Sequence, residues 1–158
     1  MIEVRLRPMT HVEYEAFYSK LIVEYATVNV EAGNWLKEDS IELATKASKE
    51  LLPHGRETSR VLLMTAENSE GESVGYVWVG LDRVGAPNTG AWIYDIEVYE
   101  ARRGQGYGRA LLAAAEKETL KNGVNKLGLN VFGSNTVART LYESAGYDIT
   151  QIQMSKQL

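Results

Sequence analysis

The stretch from Ile93 to Ala115 constrains the fold more than any other part of the chain. It reads IYDIEVYEARRGQGYGRALLAAA: strand-forming residues, then glycines at 104, 106 and 108, then an amphipathic helix. Glycine adopts backbone conformations that other residues avoid, and the unpaired N–H groups at the start of a helix attract anions. The stretch predicts a strand, a tight turn and a helix that either cradle a phosphate-bearing ligand or serve only as a structural connection.

Two nucleotide-binding motifs fail to match this turn. The P-loop requires a lysine followed by serine or threonine, and no such pair follows these glycines. The dinucleotide-binding fingerprint requires a third glycine three residues after the second, where this chain has Arg109. The pattern that remains is Arg103-x-x-Gly106-x-Gly108 at the start of a helix.

The composition is that of an ordinary globular domain. The 158 residues, 44% of them hydrophobic and 24% charged, predict a single domain over residues 1–158. The chain has no Cys, which excludes disulfides and a cysteine nucleophile. Its two His, at positions 11 and 54, lack the spacing of a metal site, so we expect no metal.

Charge and hydropathy narrow the class of partner. The net charge of −4 disfavours binding to nucleic acid, which normally requires a basic excess, and suits a cationic partner better. No apolar run approaches the roughly 18 residues of a membrane span. We therefore expect neither a nucleic-acid nor a membrane partner, and a cytoplasmic location.

Apolar periodicity predicts one strand, two helices, three strands, a helix, a strand, a helix and a last strand. The predicted strands cover residues 3–7, 61–66, 74–81, 91–99, 126–132 and 147–155, and the predicted helices cover 10–31, 38–52, 108–123 and 134–146. Thr10 and Glu13 predict a capping box, Ser134 predicts the cap of the fourth helix, and Pro87 lies in a predicted turn. We expect a mixed α/β sheet with helices on both faces.

The strand over 91–99 alternates between two faces. Alternation places Trp92, Tyr94, Ile96 and Val98 on one side and Ile93, Asp95 and Glu97 on the other.

Two motifs resemble the signatures of one superfamily. Arg103-x-x-Gly106-x-Gly108 resembles the [RQ]xxGx[GA] coenzyme A motif of the GCN5-related N-acetyltransferase (GNAT) superfamily. Downstream, Asn135-x-x-Ala138-x-x-Leu141-Tyr142-x-x-x-Gly146-Tyr147 resembles that family's second signature. The chain is similar to small bacterial members of the family. The resemblance implies a mostly antiparallel, twisted sheet of six or seven strands flanked by four helices.

The resemblance also implies how acetyl-CoA binds. The backbone groups of Ile96 and Val98 pair with the pantetheine arm as an added strand would. The pyrophosphate is held by backbone N–H groups of the turn, contributed by Arg103, Gly104, Gln105, Gly106, Tyr107, Gly108 and Arg109. The side chains of Arg102 and Arg103 either add charge at this site or are simply solvated.

Two residues of the second signature can reach the cofactor in this interpretation, one the arm and the other the thioester. Asn135 and Tyr142 are seven residues apart, so they share one stripe of a helix. Asn135 would bind the cofactor. The family role of Tyr142 is the general acid that protonates the departing thiolate, and the alternative is an aromatic residue that only packs in the core.

The residues leave more than one candidate for the general base. Asp95 and Glu97 are carboxylates in a central strand, where a charge is costly unless it is paired or used. A water chain is the alternative base, and pairing with a Lys or Arg is the alternative role for the carboxylates.

The expected function is acetyl-CoA-dependent N-acetyltransfer, direct to a primary amine in a ternary complex. The alternatives are a non-catalytic acyl-CoA-binding sensor module and an acyltransferase that uses a longer acyl-CoA. The acceptor, a small molecule or a peptide, is not specified by any motif. Its pocket is expected from the first two helices and the loop between them, from residues 81–90 and from the last strand. Tyr14, Tyr18 and Tyr25 of the first helix are either core residues or, for one or two of them, part of this pocket. Dimers are frequent in the family, which allows a homodimer.

Overall fold

Five strands form one sheet in the order in which they occur in the sequence. In the computed structural model, which describes residues 1–86 and 88–158, they are β1 (Arg5–Pro8), β2 (Val61–Glu67), β3 (Ser73–Gly80), β4 (Ala91–Val98) and β5 (Leu127–Leu129). Neighbouring strands are antiparallel except β4 and β5, which are parallel. Pro87, where a turn is predicted, lies outside the described residues.

Four helices complete the predicted mixed α/β fold. They are α1 (His11–Glu31), α2 (Ser40–Leu51), α3 (Tyr107–Lys121) and α4 (Thr136–Ser144). The predicted capping box starts α1: Glu13 N–H donates to Thr10 Oγ1 over 3.2 Å, and Thr10 N–H donates to Glu13 Oε2 over 2.8 Å. The predicted class and order of elements are confirmed up to α4.

Helices cover both faces of the sheet. On one face Val77 and Val79 of β3 pack with Leu111 and Leu112 of α3, and all four are almost fully buried. The opposite face is covered by α1, where Phe17 packs edge-on against the rings of Tyr76 and Trp78. Apolar burial on two faces of one sheet holds the layers together.

The α1 tyrosines divide between core and surface. Tyr14 is buried in the cluster on the α1 face, with 7% of its surface exposed. Tyr18 is partly buried beside it. Tyr25 is 42% exposed and packs edge-on against Trp35. The core interpretation therefore fits Tyr14 best.

The predicted last strand over 147–155 is wrong. The chain after α4 turns at Gly146, whose φ is 93°, and the described residues beyond it contain no strand. Ile152 and Met154 are 69% and 88% exposed there. Their spacing from Ile149 breaks the period of two, so no single face can be buried to stabilise a strand. The described sheet thus has five strands instead of six or seven, and β5 is shorter than predicted.

A β-bulge in β4 changes the predicted facing of its residues. Trp78 pairs with Asp95 and Val79 pairs with Ile93, so Tyr94 is an extra residue in this strand. Beyond the bulge, Ile96 and Val98 pack on the α3 face with Ile93, whereas Asp95 and Glu97 lie on the α1 face with Tyr94. The strict alternation predicted from sequence is therefore wrong beyond Tyr94, because the extra residue shifts the period by one.

Candidate active site

A cleft opens where β4 and β5 part. Their parallel pairing covers only Ala91–Ile93 against Leu127–Leu129. Beyond these pairs lies a cavity of about 150 Å³. Its lining includes Asp95 and Ile96 of β4, Asn130 after β5, and Asn135 and Tyr142 at α4. The cleft therefore brings predicted cofactor-binding and catalytic residues to one place.

The backbone groups of Ile96 and Val98 point into this opening. Tyr99 N–H donates to Val74 O over 2.9 Å, which makes Val98 opposite Gly75 a non-hydrogen-bonded pair. The same holds two residues earlier for Ile96 opposite Val77. Their N–H and C=O groups therefore point away from β3, toward the side where β5 has diverged.

The Arg103 side chain lies at the edge of the cleft. Its Nε donates to the carbonyl oxygen of Val98 over 3.0 Å, and its Nη2 lies 3.9 Å from Glu97 Oε1. The side chain is 60% exposed. Arg103 is thus available to an anionic ligand from solvent while holding one acceptor of the β4 edge.

The glycine turn leaves the start of α3 open to an anion. Gly104 and Gly106 have φ of 73° and 90°, which other residues rarely adopt. Gly106 occupies the N-cap position, and among the described residues no side chain caps this helix. The first-turn N–H groups of Tyr107, Gly108 and Arg109 precede the first intrahelical bond, which Ala110 N–H makes to Gly106 O. This end of α3 has the geometry that binds phosphate groups.

Three side chains of the turn have partners within the protein. Arg102 Nη2 donates to Glu72 Oε2 over 2.8 Å, so its charge is partly neutralised. Gln105 Nε2 donates to Ala101 O over 3.1 Å, and Arg109 Nη2 donates to Ser144 Oγ over 2.7 Å. The backbone role predicted for Gln105 and Arg109 does not need these side chains.

Asn135 caps α4. Its Oδ1 accepts from Ala138 N–H over 3.2 Å, so the cap is Asn135 and not the predicted Ser134. This bond holds the Asn135 side chain at the N-terminus of α4. Asn135 and Tyr142 line the same cavity and are separated by about two turns of α4.

Tyr142 is a half-buried phenol at the cavity. Its ring lies 5.9 Å from the ring of Tyr147, and it packs against the core cluster on the α3 face. Burial raises the pKa of Tyr142, and the nearby charge of Asp95 raises it further. The hydroxyl is therefore protonated at neutral pH, as a proton donor must be.

Asp95 faces the cleft from the α1 side of β4. Burial raises the pKa of Asp95 to about 6, against the hydrogen bond from Tyr76, which lowers it, while the charge of Glu97 adds to the rise. A carboxyl group with this pKa exchanges protons readily near neutral pH. The structure thus brings a carboxyl group with a raised pKa to the cleft that Tyr142 also lines.

Glu97 is held differently. It does not line the cavity; its Oε2 lies 3.1 Å from the Tyr76 hydroxyl oxygen and accepts from the ammonium of Lys20 on α1. The structure thus separates the two predicted carboxylates: Asp95 faces the cleft and Glu97 forms an ion pair. Sequence reasoning missed Tyr76 and Lys20, because their contacts depend on strand register and on how α1 crosses the sheet.

Two negative observations concern metals and membranes. Across residues 1–86 and 88–158, no group of three or more His, Cys, Asp or Glu side chains is placed to bind a metal ion. None of the described helices is both long enough and apolar enough to cross a membrane.

Comparisons with known proteins identify the family. The model of the acetyltransferase (GNAT) family matches residues 19–147. The chain is 37% identical to YycN, an uncharacterised N-acetyltransferase of Bacillus subtilis (strain 168), over 98% of this chain and 99% of YycN. It is 33% identical to YdgE, an uncharacterised N-acetyltransferase of the same organism, over 97% of each chain.

Solved structures agree with this assignment. The crystal structure of YycN, a putative acetyltransferase, matches with a TM-score of 0.86 over 98% of both chains. AAC(6')-Iy, solved with the bisubstrate analog CoA-S-monomethyl-acetylneamine, matches with a TM-score of 0.62 over 99% of this chain and 98% of that one. At 14% identity the second match shows the fold alone. From the family model and the relatives aligned along almost its whole length, the chain belongs to the acetyltransferase (GNAT) family.

Proposed function

We propose that this protein is an acetyl-CoA-dependent N-acetyltransferase that transfers the acetyl group directly to a primary amine in a ternary complex. The observation that carries the proposal is the continuous path from the open start of α3, along the outward backbone of Ile96 and Val98, to Asp95 and Tyr142. Membership of the acetyltransferase family supports the reaction class.

The residues along this path fit the parts of acetyl-CoA. N–H groups of the glycine turn, with the exposed charge of Arg103, suit a pyrophosphate. The outward N–H and C=O groups of Ile96 and Val98 suit the amides of an extended arm, which they would bind as an added strand. Asn135 lines the cavity, and its proposed role is to contact the arm. The bound cofactor supplies an activated acetyl group.

Tyr142 and Asp95 take opposite roles in the transfer. Asp95 accepts a proton from the acceptor's ammonium, and Tyr142 donates its phenolic proton to the leaving thiolate. The difference in their pKa values supports this division of roles. Asp95 has a pKa of about 6, whereas burial raises the pKa of Tyr142 and keeps it protonated. No covalent enzyme intermediate is required, in keeping with a chain that has no Cys.

The acceptor is proposed to be a cationic primary amine on a small molecule or a peptide. The α1 side of the site carries Glu24, Asp95 and Glu97, of which Lys20 compensates part. Such a surface favours a positively charged ligand. A cytoplasmic location and a homodimeric state belong to the same proposal.

Calorimetry with acetyl-CoA tests the first half of the proposal. We expect the folded protein to bind acetyl-CoA with a Kd on the order of micromolar. It should bind acetyl-pantetheine, which lacks the pyrophosphate, more weakly. Folded protein that binds no acyl-CoA contradicts the proposal.

Thiol release tests the second half. A panel of polyamines, aminoglycosides, amino acids and lysine-containing peptides should include an amine that accelerates release from acetyl-CoA. The same panel run with succinyl-CoA and longer thioesters distinguishes an acyltransferase of different chain preference. Tight binding with no acceleration by any amine, at several pH values, favours a sensor module instead.

A further inference from the structure

The hydroxyl of Tyr76 lies between the two carboxylates of β4. It is 3.1 Å from Asp95 Oδ2 and 3.1 Å from Glu97 Oε2. Tyr76 is 5% exposed, and it stands directly opposite Glu97 in the antiparallel pair of β3 and β4. The bulge at Tyr94 places both carboxylates on the face where this hydroxyl points.

One hydroxyl hydrogen cannot serve two carboxylates at once. When both are ionised, Tyr76 donates to one of them and presents a lone pair to the other. When Asp95 takes up a proton, Asp95 donates to the Tyr76 oxygen and Tyr76 donates to Glu97, so both contacts become hydrogen bonds. The bond from the hydroxyl to an ionised carboxylate is the stronger of these, so Tyr76 favours the ionised form of Asp95 and still offers a route for a proton along Asp95, Tyr76 and Glu97.

The groups around this chain decide where the added proton resides. Lys20 of α1 forms an ion pair with Glu97 and lies 5.9 Å from the centre of the Tyr76 ring, so it favours negative charge on Glu97. Asp95, the more deeply placed carboxyl, faces Glu24 of α1 and Tyr142 of α4. Burial raises the pKa of Asp95 to about 6, so Asp95 takes up a proton near neutral pH.

The row of side chains Asp95, Tyr76 and Glu97 also leads from the cleft to solvent. Asp95 lines the cavity beside Tyr142, whereas the side chains of Glu97 and Lys20 are 22% and 41% exposed. A proton that enters at Asp95 can leave at Glu97 without crossing the part of the cleft that the cofactor would fill.

We propose that Tyr76 is a positioning residue that joins Asp95 and Glu97 into one proton-transfer unit, with entry from the acceptor at Asp95 and exit to water at Glu97. This rests on the proposed function, because the acceptor's proton is the one transferred.

The protons balance over one turnover. The acceptor ammonium gives one proton to Asp95, and its nitrogen then bonds to the acetyl carbon as the bond from that carbon to sulfur breaks. Tyr142 gives its proton to the departing thiolate and regains one from the second N–H of the acceptor. Asp95 passes its proton to the Tyr76 oxygen, Tyr76 passes its own to Glu97, and Glu97 releases it to water.

Carbon-detected NMR of aspartate-labelled protein tests the coupling without any ligand. The chain has four Asp, at 39, 82, 95 and 148, so the carboxyl signals are few, and Asp95→Asn assigns the signal of Asp95. We expect the Asp95 carboxyl to titrate near pH 6 in the wild type. Tyr76→Phe should raise this pKa by about one unit, because the hydrogen bond to the carboxylate is lost while burial remains.

Two further variants make the result specific. Glu97→Gln should shift the Asp95 titration to lower pH, because a like charge is removed. Tyr99→Phe is the matched control: its ring lies 6.2 Å from that of Tyr76 on the same face, and it should leave the Asp95 titration unchanged. If Tyr76→Phe fails to fold, Glu97→Gln still measures the coupling.

An Asp95 signal that titrates identically in the wild type and folded Tyr76→Phe overturns the proposal, whatever Glu97→Gln does, and so does a signal that Glu97→Gln leaves unmoved. The kinetic readout is the acidic limb of kcat/KM with an amine found by thiol release. That limb should move upward in Tyr76→Phe by the shift seen in the NMR titration. A lower kcat with an unmoved limb gives Tyr76 a purely structural role and also overturns the proposal. If calorimetry detects no acetyl-CoA binding, the proposed function is contradicted. The NMR titration needs no ligand, so its result still shows whether Tyr76 couples Asp95 to Glu97.

Discussion

Arg103 Nε donates a hydrogen bond of 3.0 Å to the carbonyl oxygen of Val98, so a basic side chain of the glycine turn reaches back to the free edge of β4. The two places where the cofactor is proposed to bind are thereby linked by one side chain. A carbonyl oxygen accepts two hydrogen bonds, so Val98 can keep this bond while it pairs with a ligand.

The charge of Arg103 should contribute to cofactor affinity. We expect Arg103→Gln to weaken acetyl-CoA binding about two- to fivefold at low salt, because one exposed charge contact with an anion is worth up to about 1 kcal/mol. The difference should shrink as salt is added. Arg102→Gln is the control, since Arg102 is paired with Glu72, and it should change affinity less. Equal effects of the two changes would show that only the general positive charge of the turn matters.

Gly106 should be needed for binding as well as for folding. Alanine at this position, where φ is 90°, costs about 1–2 kcal/mol of stability and shifts the N–H groups at the start of α3. Gly106→Ala should therefore lower both the unfolding temperature and the affinity for acetyl-CoA. Gly123→Ala lies at the other end of the same helix with φ of 80°, so it should destabilise similarly and leave affinity unchanged. Calorimetry combined with thermal unfolding separates the two effects.

Tyr142→Phe should reduce turnover much more than binding. Loss of a general acid typically lowers kcat by about 10²- to 10⁴-fold, whereas the ring that packs at the cavity is kept. Acetyl-CoA affinity should stay within about twofold. Tyr147→Phe, whose ring lies 5.9 Å away, serves as the control and should retain turnover. A parallel loss of kcat and affinity in Tyr142→Phe would mean that the residue supports the cleft without taking part in the reaction.

The ion pair that anchors the start of α1 should make stability depend on pH in the acidic range. The hydrogen bond from Arg7, opposed by burial and aided by Thr10 N–H, lowers the pKa of Glu13 from 4.5 to about 2. A carboxyl with a lowered folded-state pKa stabilises the protein above its unfolded pKa, and this contribution is lost as pH falls from 4.5 through about 2.

Glu13→Gln isolates that contribution. Glutamine keeps the capping-box hydrogen bond but not the charge. We expect the variant to be less stable than the wild type by about 2 kcal/mol at pH 7, with the gap closing toward pH 2. Denaturant unfolding across this range measures it, and Glu15→Gln on the exposed side of α1 should show no such gap. A gap that persists at pH 2 would assign the effect to packing.

Local signals predicted most of the framework. The capping box at Thr10 and Glu13 uses residues within one turn, so its chemistry is readable from spacing alone. The start of α3 was equally clear, because positive φ at Gly104 and Gly106 requires the residue type that the sequence has there. Such features depend on few residues that are close in sequence.

Features that depend on register could not be predicted. Residues 91–98 alternate regularly, and no glycine or proline marks the extra residue at Tyr94, which appears only when β3 is paired with β4. The bridge from Tyr76 to Asp95 and Glu97 joins positions 19 and 21 residues apart for the same reason. The predicted last strand over 147–155 is wrong for a different reason. Its residues favour a strand locally, but no face of that segment is buried against the rest of the protein.

The bulge at Tyr94 has a consequence for how this family member could gain or lose its ligand. Without Tyr94, β4 would keep Ile93, Ile96 and Val98 on one face and Asp95 and Glu97 on the other, since the neighbouring residues would then alternate regularly. The facing of these residues thus does not depend on Tyr94, whose own ring stacks on that of Trp78. Pairing of β4 with β5 ends at Ile93, immediately before it, and a bulge is what bends a strand away from its neighbour. Deletion of Tyr94 would therefore remove the bend while leaving the apolar and acidic residues of β4 on their present faces, so the width of the cleft depends on one extra residue in the strand.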